Sequence, residues 1–64
     1  MSTIQEIIKR NRLKKGVSQA TLAKHLGIDR TSYIRKEGGK QSFTIEEFIS
    51  TYEFLGYEIS ISKA

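Results

Sequence analysis

The chain has no cysteine. That excludes disulfides and thiolate metal sites, and it fits a cytosolic setting. A single histidine, His25, cannot build a metal site. No apolar run approaches the length of about 18 residues that a membrane span needs. No signal-peptide pattern precedes the first polar segment. Internal repeats, low-complexity segments and linkers are missing too. No carboxylate pair and no nucleophile–base set stands out, so no catalytic residue and no enzyme activity is expected. Gly38-Gly39 follow a helical pattern rather than open one, so they do not form a nucleotide-binding loop. No cofactor is expected.

Bulk is scarce as well. Sixty-four residues make one domain, which buries only about 60% of its unfolded surface. Domains this small are usually reinforced by disulfides, metals or oligomers. With the first two excluded, self-association is the expected reinforcement.

Acidic residues are few in the first 40 positions. Ten Lys and Arg stand there against Glu6, Asp29 and Glu37, a net +7. Residues 41–64 hold Lys63 against Glu46, Glu47, Glu53 and Glu58, a net −3. Such an asymmetry suggests a part that faces a polyanion and a part that faces something else.

Helical patterns account for most of the chain. Thr3-Ile4-Gln5-Glu6 reads as a capping box, followed by Ile4, Ile7, Ile8 and Asn11 at helical spacing, with Leu13 off that line. Gly16 closes this helix. Ser18 is an N-cap for a second helix that carries Leu22 and Ala23 and runs to about Leu26. Asp29 caps a third, from about Arg30 to Glu37, where its charge suits the positive helix end. The link Gly27-Ile28-Asp29 has the length that holds two helices at a steep angle, as in a helix-turn-helix. Gly38-Gly39 stop the third helix. Thr44-Ile45-Glu46-Glu47 is a second capping box. Ile45, Phe48, Ile49, Tyr52 and Leu55 then form the strongest amphipathic stripe, with Phe54 nearly opposite and Gly56 closing. The expected core is Leu22, Leu26, Ile28, Ile45, Phe48, Ile49, Tyr52 and Leu55. His25 is expected at the surface or in packing.

After Gly56 the period changes to two. Tyr57, Ile59 and Ile61 alternate with Glu58, Ser60 and Ser62, as in a half-buried strand. A lone strand leaves its backbone groups unpaired, and the simplest partner is the same strand of a second copy. The alternative is an extended tail without a partner; the small core favours pairing. Phe54 is expected to help that contact.

With these elements placed, the chain resembles the phage-repressor and Cro-like (XRE-type) helix-turn-helix family over roughly residues 4–56. The resemblance rests on Arg12, Gly16, Ser18-Gln19, Leu22-Ala23, Leu26-Gly27-Ile28, Arg30, Glu37, Gly39 and Lys40. It implies a mainly α fold, a four-helix lambda-repressor-like helix-turn-helix domain at 1–56. Residues 57–64 stand where a fifth helix is usual. They resemble the C-terminal strand through which antitoxin-type and small phage-type members dimerise, so the dimer interface is expected at Phe54, Tyr57, Ile59 and Ile61.

By the same resemblance the protein is a cytoplasmic, sequence-specific regulator of transcription. It binds double-stranded DNA as a homodimer on an inverted-repeat operator, with repression by occlusion as the default. Arg30, Thr31 and Arg35 match base-reading positions, and Ser32 a phosphate or base-edge position. Gln19, Lys40 and the backbone near Gly38-Gly39 match phosphate contacts. Arg12 and Glu37 match a structural ion pair. The alternative is an antitoxin, or another interaction module that holds a protein partner.

The chemistry of these residues agrees. Arginine can donate two parallel bonds to guanine, and threonine can offer its methyl to thymine. Lys14, Lys15 and Lys24 could add attraction independent of sequence. Three positions depart from the family pattern. Tyr33 replaces an apolar residue and is expected to pack its ring and keep its hydroxyl wet. Lys36 replaces another, and must snorkel or point at DNA. Ile34 falls where a polar residue is usual, open to a thymine methyl or to a partner subunit.

Overall fold

A computed structural model describes residues 3–57, and all of its regular structure is helical. Four helices follow in order: α1 (Ile4–Lys14), α2 (Gln19–Leu26), α3 (Arg30–Glu37) and α4 (Ile45–Phe54). Each start is chemically marked. Thr3, Ser18, Asp29 and Thr44 each accept a hydrogen bond from the backbone N–H three residues on. At α1 and α4 the bond is returned, from Glu6 and Glu47, completing two capping boxes. Asp29 is held below the usual carboxylate range, chiefly by the hydrogen bonds from Ser32 and then by the charge of Arg35.

Gly27 makes the bend between α2 and α3. Its φ of 72° lies in the left-handed region, where a side chain is strained. This lets Ile28 N–H reach back to Ala23 O at 3.0 Å, so α2 closes and α3 starts two residues later. These two helices are the most closely packed pair. Leu22, Ala23 and Tyr33 form the buried centre, with Val17, Leu26, Ile28 and Phe43 packed round it. Ile8 of α1 and Thr51 of α4 are fully buried, and Leu55 nearly so.

The α4 stripe departs from expectation. Leu55 is buried, but Phe48, Ile49 and Tyr52 are half-buried and Ile45 is 67% exposed. The helix docks along Thr51 and Leu55 instead, and Ile45 lies about 120° round the helix from Thr51. Its apolar face is therefore turned partly out of the core. Phe54, on the other flank, is 43% exposed. His25 of α2 packs on its ring at 4.4 Å and bonds through Nε2 to Ser50 Oγ at 2.9 Å. An aromatic row runs Phe48, Tyr52, Tyr57 with centroids 5.2 and 4.9 Å apart. Lys15 Nζ sits 5.2 Å from the Tyr57 centroid.

The expected strand and its pairing through Ile59 and Ile61 lie outside the described residues; of that segment only Tyr57 is described. Among the described residues no helix is long and apolar enough to cross a membrane.

Candidate nucleic-acid interface

The two sides of α3 have different surroundings. Its inner side carries Tyr33 and Glu37, both buried. Arg12 of α1 grips the Glu37 carboxylate through Nε at 2.8 Å and Nη2 at 2.9 Å. Its Nη1 donates to Val17 O at 2.9 Å, tying in the chain before α2. This is the expected Arg12–Glu37 pair. Two donors were not expected. Tyr33 Oη donates to Glu37 Oε2 at 2.6 Å, and Gln19 Nε2 to Oε1 at 3.2 Å.

Four hydrogen bonds therefore converge on one carboxylate, which fills its acceptor capacity. Burial alone would raise the Glu37 carboxyl, but the bonds from Arg12, Tyr33 and Gln19 outweigh it and hold the group below its ordinary value. The Arg12 guanidinium is held above its own, first by the bond to Glu37. Burial, and then the bond to Glu37, push the Tyr33 phenol far up.

The wet hydroxyl expected at Tyr33 is thus corrected. The residue is fully buried, its ring packed edge-on to Phe43 at 5.9 Å. The signal was present in the sequence. Tyr33 and Glu37 are four residues apart, which puts them on one helix face. Lys36 snorkels, and its ammonium takes Ser42 O at 3.0 Å and Glu47 Oε1 at 3.0 Å. It bolts α3 to α4. Glu47 is also held below the usual range; burial would raise it, but Thr44 and Lys36 more than compensate.

The outer side of α3 is bare. Arg30, Thr31, Ile34 and Arg35 are exposed and Ser32 is half-buried. Among the described residues neither Arg30 nor Arg35 forms an ion pair. The three carboxylates of the basic segment are engaged elsewhere. Glu6 and Asp29 cap helices, and Glu37 is buried against Arg12. The exposed cations Lys14, Lys24 and Lys40 therefore stand without acidic partners among the described residues. Lys14 borders a shallow groove on the outer face of α1 with Glu6, Lys9, Arg10 and Leu13.

The loop after α3 brings Lys40 beside that bare side. Gly39 has φ 83°, and a Cβ there would stand 3.2 Å from Gln5 Nε2 of α1. Its N–H donates to Lys36 O at 3.2 Å, and those of Lys40 and Gln41 to Arg35 O at 2.8 and 3.3 Å. A phosphate at Gly39 would have to compete with that internal bond, whereas the Lys40 ammonium has no such partner. Gln19, at the start of α2, is half-buried and divided between Glu37 and the surface.

Such an arrangement presents a short helix with two guanidiniums and a hydroxyl outward, flanked by further cations. It suits a polyanion whose interior edges carry hydrogen-bond acceptors. A family model described as helix-turn-helix matches residues 8–61, a span that takes in every candidate residue. No curated protein and no solved structure matches the chain.

Proposed function

This chain belongs to the XRE-type, Cro-like helix-turn-helix family of DNA-binding regulators, and on that premise we propose that it represses transcription by occupying an inverted-repeat operator as a homodimer. The observation that carries the reading is the division of α3. Tyr33 and Glu37 lock its inner side, while Thr31 and Arg35 lie on the opposite side and Arg30 is exposed at its first position. In this reading α3 lies in the major groove. Arg30 and Arg35 each take a guanine edge, Thr31 a neighbouring base, and Ser32 a base edge or phosphate. Gln19, Lys40 and Lys14 hold the phosphate backbone and set the position of α3, with Gly39 shaping the loop that carries Lys40.

The second copy is recruited through Phe54, Tyr57, Ile59 and Ile61. The partly exposed apolar flank of α4 supports this, because a domain of this size gains most by covering such surface. Selection of bound sites from random DNA tests the proposal. The expected product is an inverted repeat with half-sites about 10 bp apart, centre to centre. Enrichment of a single unrepeated half-site would refute the dimeric reading, and no enrichment at all would refute sequence-specific binding.

A further inference from the structure

Ile34 is the one large apolar residue left exposed on α3. It is 42% exposed on a two-turn helix whose inner side is already filled by Tyr33 and Glu37. A β-branched residue at such a place costs the helix slightly relative to alanine. Yet Ile34 borders the bare side, on the flank beside Thr31 and Arg35. Thr31, Ile34 and Arg35 fall at i, i+3 and i+4, one continuous line along the helix. The line ends at Gly38, which adds no side chain of its own.

Resting on the reading that this side of α3 enters the major groove, we propose that Ile34 is a specificity-determining residue that reads the C5 methyl group of a pyrimidine. Base edges in the major groove are polar, and the one apolar group among them is the thymine methyl. An isoleucine laid over a carbonyl or amino edge would strip it of water and return no hydrogen bond, which is unfavourable. Laid over a methyl, it buries apolar surface on both partners. Thr31 and Ile34 are separated along the axis by about 4.5 Å, close to the base-pair rise of about 3.4 Å. In the proposed pose, with α3 lying along the groove, the two address adjacent or nearby base pairs and the longer Arg35 side chain reaches a guanine beside them. The ligand feature is the methyl rather than the base, so 5-methylcytosine satisfies it as well as thymine.

Removing single methyl groups from the DNA tests this. Each thymine of the selected operator is replaced in turn by uracil, and affinity is measured by fluorescence anisotropy for the wild-type chain and for Ile34→Ala. One position per half-site should lose about fourfold on loss of the methyl, the value of one buried methyl group. At that position Ile34→Ala should bind thymine and uracil equally, while keeping its discrimination elsewhere. Replacing that thymine by 5-methylcytosine should bind the wild type more tightly than replacing it by cytosine. If no thymine position is sensitive to uracil, or if Ile34→Ala retains the same sensitivity, the inference is wrong while operator binding stands. If selection yields no site, the parent reading fails and the inference with it.

Discussion

Replacing Glu37 by Gln should be among the most damaging single changes in this protein, although it swaps one oxygen for a nitrogen. The carboxylate accepts four bonds, two from Arg12, one from Tyr33 and one from Gln19. A glutamine offers one oxygen, enough for two of them, and turns an NH₂ toward the other two. The Tyr33 hydroxyl or the Gln19 amide can reorient to accept from that NH₂. The Arg12 guanidinium has only donors, and whichever way the amide is turned, one of its N–H groups faces another donor. The side chains are 9% and 3% exposed, so water cannot fill the gap. Breaking a buried pair from one side costs about 3–5 kcal/mol, because the remaining charge stays buried without compensation. A domain of this length has about 3–10 kcal/mol in all. Urea denaturation followed by circular dichroism at pH 7 should therefore find Glu37→Gln partly or wholly unfolded without denaturant. A loss below about 1 kcal/mol would mean that the pair behaves like an exposed one, and the account of α3 as locked from behind would be wrong.

Other perturbations separate the remaining roles. Arg35→Ala should cost about 1–3 kcal/mol of operator affinity and relax base preference at one position per half-site, whereas Lys40→Ala should weaken all sequences alike and flatten the salt slope; binding measured across a panel of sites at several salt concentrations distinguishes the two. Glu37 and Glu47 have folded pKa values below the ordinary 4.5. Their stabilisation should therefore be complete above that value and be lost as pH falls through the depressed values, so a midpoint that is flat from pH 6 to 8 and drops below about pH 4.5 is expected, and a maximum at acid pH would contradict it. Thr51 is fully buried, and its hydroxyl has no hydrogen-bond partner among the described residues. Thr51→Val should raise stability by about 1 kcal/mol, and a destabilised variant would reveal a partner for that hydroxyl.

The helix starts were legible in the sequence because capping is a local affair. Thr3 with Glu6, Ser18, Asp29, and Thr44 with Glu47 each act within three residues of themselves, and no distant contact is needed to read them. The Arg12–Glu37 pair was legible only through the resemblance, since 25 residues separate its members. The rotation of α4 was not legible. Its stripe from Ile45 to Leu55 is a sound helical pattern, but the pattern fixes which side is apolar and not which part of that side meets the core. Thr51, fully buried at the contact, carries a hydroxyl and was passed over. Two fates stay open to Lys36 in the sequence because the choice depends on Glu47, on a helix whose placement a linear pattern does not supply. The buried hydroxyl of Tyr33 departs from expectation for the opposite reason. A residue-type expectation, that a phenol keeps its tip in water, outweighed the spacing that put Glu37 on the same helix face.

An eight-residue helix is far too short to persist alone, so α3 exists only as its neighbours hold it. Those neighbours act on its inner side and at its ends: Arg12, Gln19 and Phe43 on Tyr33 and Glu37, and Glu47 on Lys36. Asp29 caps its first turn, and Gly39 lets the chain turn away after its last. Among the described residues no side-chain hydrogen bond and no ion pair engages Thr31, Ile34 or Arg35. The outward residues can therefore change at little cost to folding, within about 0.5 kcal/mol, and the residues behind them cannot. Tyr33 sharpens this division. By bringing a fourth hydrogen bond to the buried carboxylate, it helps to fix how α3 is turned about its own axis, and in the proposed reading that angle decides which outward side chains would meet the base edges.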